Sequence, residues 1–416
     1  MEWVALVVSA CLALISATAL AWMLHAWWEP DAPTVPRRVA SNALSFSLLA
    51  PARHEETVFG ATLDRLAALD HEDYEVLAIV GHDDPGTTAV AEAASRRHPG
   101  RIRVIVDNSV PKSKPKALNT ALPYCRGDVI GIFDAEDVVH EGLLAAVEHR
   151  FVTEDVSAVQ AGVQLINFWS TWFSCHNALE YYFWFRSRLG YQASTGMIPL
   201  GGNTVFFKRD VVNELGGWDD DCLAEDCEIG IRLSSEGHRV SVMYDPDLVT
   251  REEAPVTVSE FVRQRTRWDQ GFLQVLLKGY WMKLPSLRLR MWTLFTLSTP
   301  LLSALVGLTI PFTLLGIFVL KLPDAFVLAT FVPLVPVLAT VGVQWVGLVD
   351  LGKIAGRRPR LRDFARIALG TPAFSLMLGW AAIRAVGRQA RGSISWEKTA
   401  HTGLHLHGVT SLEEAA

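Results

Sequence analysis

The sequence predicts an α/β domain with a largely parallel sheet, flanked by apolar segments long enough to cross a membrane. Short apolar runs with strand character alternate with helical patterns between residues 43 and 133, and this alternation is typical of βαβ units. Half of the 416 residues are hydrophobic and only a fifth are charged. The apolar residues concentrate at 3–28 and 291–386, which separates membrane segments from the domain between them.

The elements of the domain follow one another with short connections. The expected strands and helices alternate along the chain: strand 43–50, helix 57–69, strand Glu75–Val80, helix Thr87–His98, strand Arg103–Asp107, helix Lys116–Leu122 and strand Val129–Phe133. Ligands bind beyond the carboxyl ends of parallel strands. The acidic residues that follow the second and fourth strands are therefore candidate site residues.

Four apolar segments are long enough to span a bilayer, at roughly 20 residues per crossing: 3–28, 291–320, 324–349 and 364–386. Glu2 stands where a signal peptide would carry a basic residue. Arg37 and Arg38 follow the first segment, so the positive-inside rule places residue 35 onward in the cytoplasm. Basic residues flank 364–386 on both sides, and this segment could be re-entrant or interfacial instead of a plain crossing.

We therefore expect an N-terminal transmembrane helix at 1–34, a cytoplasmic domain at 35–290, C-terminal helices at 291–390 and a tail at 391–416. The net charge of −6 does not suggest a nucleic-acid partner. The five cysteines are scattered without zinc-ligand spacing, which predicts free thiols in a reducing compartment.

Three carboxylates close the fourth predicted strand, in Phe133-Asp134-Ala135-Glu136-Asp137. Crowded carboxylates repel one another, and a divalent cation would offset this repulsion while bridging to a diphosphate. The same residues could instead cap a helix N-terminus. The residues alone leave both interpretations open.

Three lysines lie in the proline-punctuated loop Pro111–Asn119, which leads into a short helix. Lysines near a helix N-terminus suit a phosphate group. A solvated basic loop is the alternative interpretation.

The acidic pair in Ala224-Glu225-Asp226 precedes a helical pattern. Asp226 could deprotonate an acceptor hydroxyl if its carboxylate lies within hydrogen-bond distance of that hydroxyl. Capping of the helix is again the alternative.

Gln264, Arg267 and Trp268 share one face of a predicted helix, at positions i, i+3 and i+4. The indole can stack on a sugar ring, and the guanidinium can bind phosphate oxygens in a forked geometry. This face therefore predicts a site for a sugar and a diphosphate, close to the apolar C-terminal segments.

Together and in this order, these motifs resemble the membrane-integrated family 2 glycosyltransferases, which include cellulose, chitin, hyaluronan and poly-N-acetylglucosamine synthases. The resemblance covers residues 40–290 and the adjoining helices. It implies a GT-A type, Rossmann-like domain that binds a nucleotide sugar. It also implies that Asp134 and Glu136 hold Mg²⁺ or Mn²⁺ and that Asp226 is the catalytic base.

The resemblance assigns the remaining motifs to substrate binding. Gln264, Arg267 and Trp268 match the motif that binds the growing end of the acceptor and the pyrophosphate. Lys116 matches a lysine near the nucleotide, and Asp83 is preferred over Asp84 for the nucleotide base.

This chain departs from the family pattern at three points. Glu136 stands where aspartate is usual, so Asp137 could be the metal ligand instead. Ala224 replaces a threonine in the base motif. The segment around His82 lacks the expected Asp-Asp-Gly pattern.

The resemblance implies inverting transfer from a nucleotide-diphosphate sugar, expected to be a UDP-sugar, onto a growing β-linked polysaccharide. Transfer of a single sugar to a lipid-linked acceptor is the alternative, and an inactive membrane scaffold or translocation subunit is a third hypothesis. The expected partners are the donor, the acceptor, membrane lipid and further export or regulatory subunits. The expected location is a bacterial-type plasma membrane.

Overall fold

The computed structural model describes residues 2–28, 43–319 and 331–394. Seven strands form the main sheet in the order β3-β2-β1-β4-β7-β5-β8. Their bounds are β1 Phe46–Ala52, β2 Tyr74–Gly81, β3 Ile102–Asp107, β4 Val129–Ile132, β5 Ala158–Ala161, β7 Val205–Lys208 and β8 Val240–Met243. A second, two-stranded parallel sheet pairs β6 (Val163–Leu165) with β9 (Thr250–Glu252).

The main sheet is mostly parallel, as predicted. β1 runs parallel to β2 and β4, and β2 runs parallel to β3. Strand β7 is the exception, since it lies antiparallel between β4 and β5. The parallel β1–β4 half brings the ends of β1, β2 and β4 to one edge, where the candidate acidic residues follow.

Helices cover both faces of the sheet and continue into the apolar segments. Their bounds are α1 Glu2–Leu24, α2 Phe59–Ala67, α3 Pro85–Arg97, α4 Lys114–Ala121, α5 Leu143–Thr153, α6 Trp172–Phe183, α7 Leu189–Thr195, α8 Arg209–Glu214, α9 Glu225–Ser235, α10 Val258–Lys278, α11 Leu287–Phe318, α12 Leu334–Ile354 and α13 Leu361–Ala390. A π-helical segment, Trp184–Arg188, joins α6 to α7.

Two buried apolar clusters lie on opposite faces of the sheet. Alternate residues of β1 divide between them, with Leu49 in one cluster and Phe46 and Leu48 in the other. This arrangement is expected for a parallel sheet covered on both faces. The sheet is therefore a rigid base from which the loops at its edge project.

Within the described residues, four helices are long and apolar enough to cross a membrane, with spans at Ser9–Trp27, Leu287–Gly307, Leu334–Ile354 and Leu361–Ala390. Helix α1 packs against α12 and α11, and α13 packs against α11 and α10. The segment 364–386, whose topology the sequence left open, lies within the continuous helix α13, which contains Pro372. Residues 29–42, including Arg37 and Arg38, and the tail beyond 394 lie outside the described residues.

Candidate active site

A tight acidic turn follows β4. The Asp137 carboxylate accepts the backbone N–H of Asp134 at 2.8 Å through one oxygen and Nδ2 of Asn203 at 2.8 Å through the other. Asp137 is fully buried. Because both of its oxygens hold the turn in place, Asp137 shapes the site, and this leaves Asp134 and Glu136 as the better candidates for a metal.

Negative charge accumulates around this turn. Burial, together with the charges of Asp134 and Glu55, raises the pKa of Glu136 to about 8. Burial and the charges of Asp134 and Glu136 also raise the pKa of Glu252, on β9, to about 8. Asn203 donates to Glu252 as well as to the turn. Hard oxygen ligands with an excess of negative charge fit a divalent cation such as Mg²⁺ or Mn²⁺.

Lys114, in the first turn of α4, is the basic residue that contacts the acidic turn. Its Nζ lies 2.5 Å from Oδ1 of Asp134 and 2.7 Å from the carbonyl oxygen of Gly202. Burial lowers the pKa of Lys114, but the charges of Asp134, Glu225 and Asp226 outweigh burial and raise it above its usual value. The sequence analysis selected Lys116 for this region. In the structure Lys114, two residues earlier in the same helix, makes the contact with Asp134, and a role for Lys116 stays a prediction.

The acidic pair Glu225 and Asp226 forms the first turn of α9. Burial raises the pKa of Asp226, although the N–H of Cys227, which it accepts at 2.7 Å, and the charge of Lys114 act in the opposite direction. Burial and the charge of Asp226 raise the pKa of Glu225 to about 7. A Cβ on Gly202 would lie 2.9 Å from Oδ2 of Asp226, so the absence of a side chain at Gly202 leaves room for this carboxylate.

Helix α10 carries the Gln-x-x-Arg-Trp motif against this acidic pair. A Cβ on Gly271 would lie 2.4 Å from the Cβ of Ala224, so the helix backbone directly abuts the residue before the pair. This contact leaves room for only a small side chain at 224 and accounts for alanine in the place of threonine. Burial lowers the pKa of Arg267, whereas the negative charges of Glu225 and Asp134 raise it. Because these carboxylates act on its charge, Arg267 belongs to the same charged cluster.

Gln264 and Trp268, the other two residues of the motif, are half-buried on the same helix as Arg267. The ring of Trp268 lies 6.0 Å from that of Tyr181, centroid to centroid. Oε1 of Gln264 is buried and has no hydrogen-bond partner among the described residues. Contact of Gln264 and Trp268 with a ligand stays a prediction, which the unpartnered Oε1 of Gln264 favours.

Arg265, inside the same motif, was not selected from the sequence. Its Nη2 donates to Oδ1 of Asn177 and to Oε2 of Glu180, each at 2.5 Å. Its Cζ lies 4.7 Å from the centroid of the Trp268 ring. Arg265 therefore ties α10 to α6 and stacks on Trp268. The sequence did contain one indication of this ion pair: Glu180 is an isolated carboxylate beside a run of aromatic residues, and such a residue needs a basic partner when it is buried.

Asp83 lies on the outer side of the same sheet edge. It is exposed and pairs with Arg53 at 3.0 Å. Asp84 is buried, and its carboxylate accepts the N–H groups of His54 at 2.6 Å and Thr87 at 3.2 Å. Asp84 thereby caps α3, and this leaves Asp83 as the carboxylate of the pair that faces solvent.

Asp84 also belongs to a second group of possible metal ligands, together with His54 and Glu56. One possible ligand atom each from His54, Glu56 and Asp84 lies within 4.8 Å of the others. Because Asp84 is already bound to two backbone N–H groups, its geometry is explained by the cap of α3. The acidic turn after β4 remains the better candidate for the metal.

Comparison with known proteins gives this site its context. The family described as "Glycosyltransferase like family 2" matches residues 43–271, more than half of the chain. The chain therefore belongs to family 2 of the glycosyltransferases, and the predicted family and enzyme class are confirmed.

Several similar proteins carry the name β-monoglucosyldiacylglycerol synthase. The one from Synechocystis sp. is 28% identical over 257 residues, which cover 60% of this chain and 51% of that protein. The chain thus aligns with about half the length of that relative. The one from Trichormus variabilis is 27% identical over 378 residues, which cover 86% of this chain and 76% of that protein.

A mannosyltransferase from Pyrobaculum calidifontis, solved with GDP-Man and Mn²⁺, superposes with a TM-score of 0.58 at 17% identity. The superposition covers 94% of this chain and 98% of that one. The likeness confirms the predicted GT-A-like fold.

Proposed function

We propose that this protein transfers one sugar, with inversion, from a nucleotide-diphosphate sugar to a hydroxyl group of a membrane lipid at the cytoplasmic face. The observation that carries the proposal is the position of α10, which contacts both Ala224, the residue before the acidic pair, and the membrane helix α13. An acceptor that resides in the membrane would reach the site along this helix. Similarity to a relative named for a glycolipid product extends over 86% of the chain, well beyond the segment that the family model matches, residues 43–271.

Asp226 acts as the general base in this proposal. The acceptor oxygen attacks the anomeric carbon, its proton passes to the Asp226 carboxylate, and the bond from that carbon to the diphosphate oxygen breaks. The raised pKa of Asp226 makes it a stronger base than an exposed aspartate, which suits proton removal near neutral pH. Lys114 and Arg267 provide fixed positive charge where the diphosphate develops negative charge.

Asp134 and Glu136 would hold the divalent cation, Mg²⁺ or Mn²⁺. When bound, the cation would neutralise charge on the departing diphosphate. Asn203 would help to position these ligands, because its side-chain amide donates to both Asp137 and Glu252 and so holds the acidic turn in one conformation.

The remaining predicted residues bind the substrates. The Trp268 ring stacks on the acceptor or the transferred sugar, and Gln264 offers its unpaired Oε1 to a hydroxyl group. Asp83 is assigned to the nucleotide base, since it is the exposed carboxylate after β2.

The base assignment is tested with Asp226→Asn in detergent-purified full-length protein and a panel of nucleotide sugars. We expect the transfer rate to fall by about 10²–10⁴-fold, the usual contribution of a general base. Asp210→Asn is the matched control, because Asp210 also lies in the first turn of a helix but is exposed. Full activity in Asp226→Asn would exclude the assignment.

Sizing of the product tests the acceptor class. The proposal predicts a lipid that carries one added sugar, extractable into organic solvent. A ladder of long, water-soluble oligomers would instead support the extension of a polysaccharide, which the sequence analysis favoured.

A further inference from the structure

Several hydrogen-bond donors without acceptors meet where α1, α11 and the segment before α7 come together. The atoms are Nε1 of Trp22, Nε1 of Trp292 and Nε of Arg188, each of which is buried and has no acceptor among the described residues. Oε1 of the fully buried Gln192 also has no partner there. Trp22 is only 5% exposed. We call Trp22, Arg188, Gln192 and Trp292 the Arg188 cluster.

These side chains form one assembly. Cζ of Arg188 lies 4.0 Å from the centroid of the Trp22 ring, and the Trp22 and Trp292 rings lie 5.7 Å apart. Gln192 is tied to the same helix as Trp292 through a long hydrogen bond, 3.4 Å, from its Nε2 to Oγ1 of Thr296. The unpaired groups are therefore neighbours and not scattered packing defects.

Arg188 forms no ion pair within the described part of the chain, although the carboxylate of Glu180 acts on its charge from a longer distance. Its described polar contact is a 3.5 Å hydrogen bond to Oγ1 of Thr299; among the described residues no carboxylate oxygen lies within ion-pair distance. Burial lowers the pKa of Arg188 to about 9. A buried cation and buried N–H groups without acceptors are unfavourable unless a ligand supplies the acceptors.

The location of the cluster indicates where that ligand comes from. Trp22 lies near the end of the apolar span Ser9–Trp27, and Trp292 near the start of the span Leu287–Gly307. Tryptophan at the ends of membrane helices is typical of the head-group level of a bilayer. A ligand at this level comes from the lipid leaflet that faces the transferase domain.

We propose that the Arg188 cluster binds the phosphate of a membrane phospholipid. Phosphate oxygens accept hydrogen bonds from guanidinium and indole N–H groups, and their negative charge matches that of Arg188. The Oε1 of Gln192 could accept a hydrogen bond from a head-group hydroxyl, such as those of phosphatidylglycerol. The cluster contains none of the residues assigned to sugar transfer, and the proposal does not depend on the proposed function.

Bound lipid in purified, full-length protein tests the proposal, with native mass spectrometry and total phosphorus as readouts. After delipidation, the wild type is titrated with phosphatidylglycerol in neutral detergent micelles. We expect one phosphatidylglycerol per chain, and roughly tenfold weaker binding in Arg188→Gln, the loss expected for one charge-assisted pair.

Trp292→Phe keeps an aromatic ring but removes the indole N–H donor. If Arg188→Gln fails to fold, this variant still tests whether the cluster binds phosphate. It should weaken binding severalfold. The matched controls are Trp380→Phe and Arg358→Gln, which alter exposed side chains on or next to α13 and should bind as the wild type does. Unchanged binding in both Arg188→Gln and Trp292→Phe would overturn the proposal.

Two further titrations identify the ligand class. Diacylglycerol, which lacks phosphate, should not bind at the cluster, and equal binding of diacylglycerol would refute the assignment to phosphate. Excess inorganic phosphate should leave the lipid in place. Release of the lipid by inorganic phosphate would show a site for a free anion and would overturn the assignment to a phospholipid.

Discussion

Gly271→Ala tests the contact between α10 and the acidic pair. The new Cβ would lie 2.4 Å from Cβ and 2.6 Å from the backbone nitrogen of Ala224. Carbon atoms in contact normally lie about 3.5–4.0 Å apart, so α10 and Ala224 must separate by about 1 Å. That movement displaces Arg267 from Asp226.

The effect on stability and the effect on activity should differ in size. Overpacking destabilises by about 1–3 kcal/mol, whereas alanine in place of glycine stabilises a helix by about 1 kcal/mol. The free energy of unfolding should therefore fall by only about 0–2 kcal/mol. A 1 Å misplacement of reacting groups lowers a rate by about 10²-fold, and we expect a loss of that order in transfer.

The assay pairs a thermal unfolding curve with the single-turnover transfer rate. Gly387→Ala is the control, because Gly387 lies in α13 and an added Cβ there would meet no atom within 4 Å. It should be as stable as the wild type or slightly more so, with unchanged activity. If Gly271→Ala transferred sugar within about threefold of the wild-type rate, the close contact would not determine the geometry of the site.

Three further predictions concern charge and hydrogen bonding in the site. Lys114→Met should lower the transfer rate by about 10²-fold, whereas Lys116→Met should change it little; steady-state kinetics of the two variants compare these lysines, and the reverse order would support Lys116. Asn203→Leu leaves two buried carboxylates without their shared donor, so the free energy of unfolding, measured in denaturant, should fall by about 2–3 kcal/mol; an unchanged value would contradict this network. Because burial raises the pKa of Asp226 and the base must be ionised, kcat/KM should fall on the acid side at a higher pH than it would with an exposed aspartate as the base. Glu225→Gln removes one like charge and should move that fall to lower pH; an identical pH profile would exclude coupling within the pair.

The strands of the parallel half-sheet could be predicted because each is an apolar run between turn residues. The first strand was predicted from residue 43 but begins at Phe46. The N–H groups of Leu44 and Ser45 instead bond to the carboxylates of Glu148 and Asp128. Those partners lie about 100 and 83 residues away in sequence, and a local pattern carries no information about them.

In the site, too, contiguous motifs could be recognised from the sequence, whereas contacts between residues that are far apart in sequence could not. The order of the motifs identified Asp134, Asp226 and the Gln-x-x-Arg-Trp helix, since each motif is contiguous. Which lysine reaches Asp134 depends on where α4 begins relative to the end of β4, and the sequence does not fix this; Lys114 makes the contact, and the role of Lys116 near the nucleotide stays a prediction. Glu252 was missed because Asn203 connects it to the acidic turn only in three dimensions.

The nucleotide side of the site was the least accessible to sequence reasoning. Asp83 and Asp84 are adjacent and chemically identical, and only the capping bonds of Asp84 distinguish them. Roles for Asp83, Lys116, Gln264 and Trp268 remain predictions that binding experiments must test.

The attachment of α10 to α13 has a consequence for any attempt to isolate the transferase domain. The rings of Phe261 and Phe374 lie 5.3 Å apart, and nine residues further along α10 the Gln270 side chain bonds to Nε of Arg388 and to the carbonyl oxygen of Ser393. A chain cut after residue 290 would lose both attachments, expose Phe261 and leave Gln270 without these partners. Such a fragment should aggregate, even though the family match ends at residue 271. The segment that matches the family, residues 43–271, should therefore not fold stably without the helices that follow it.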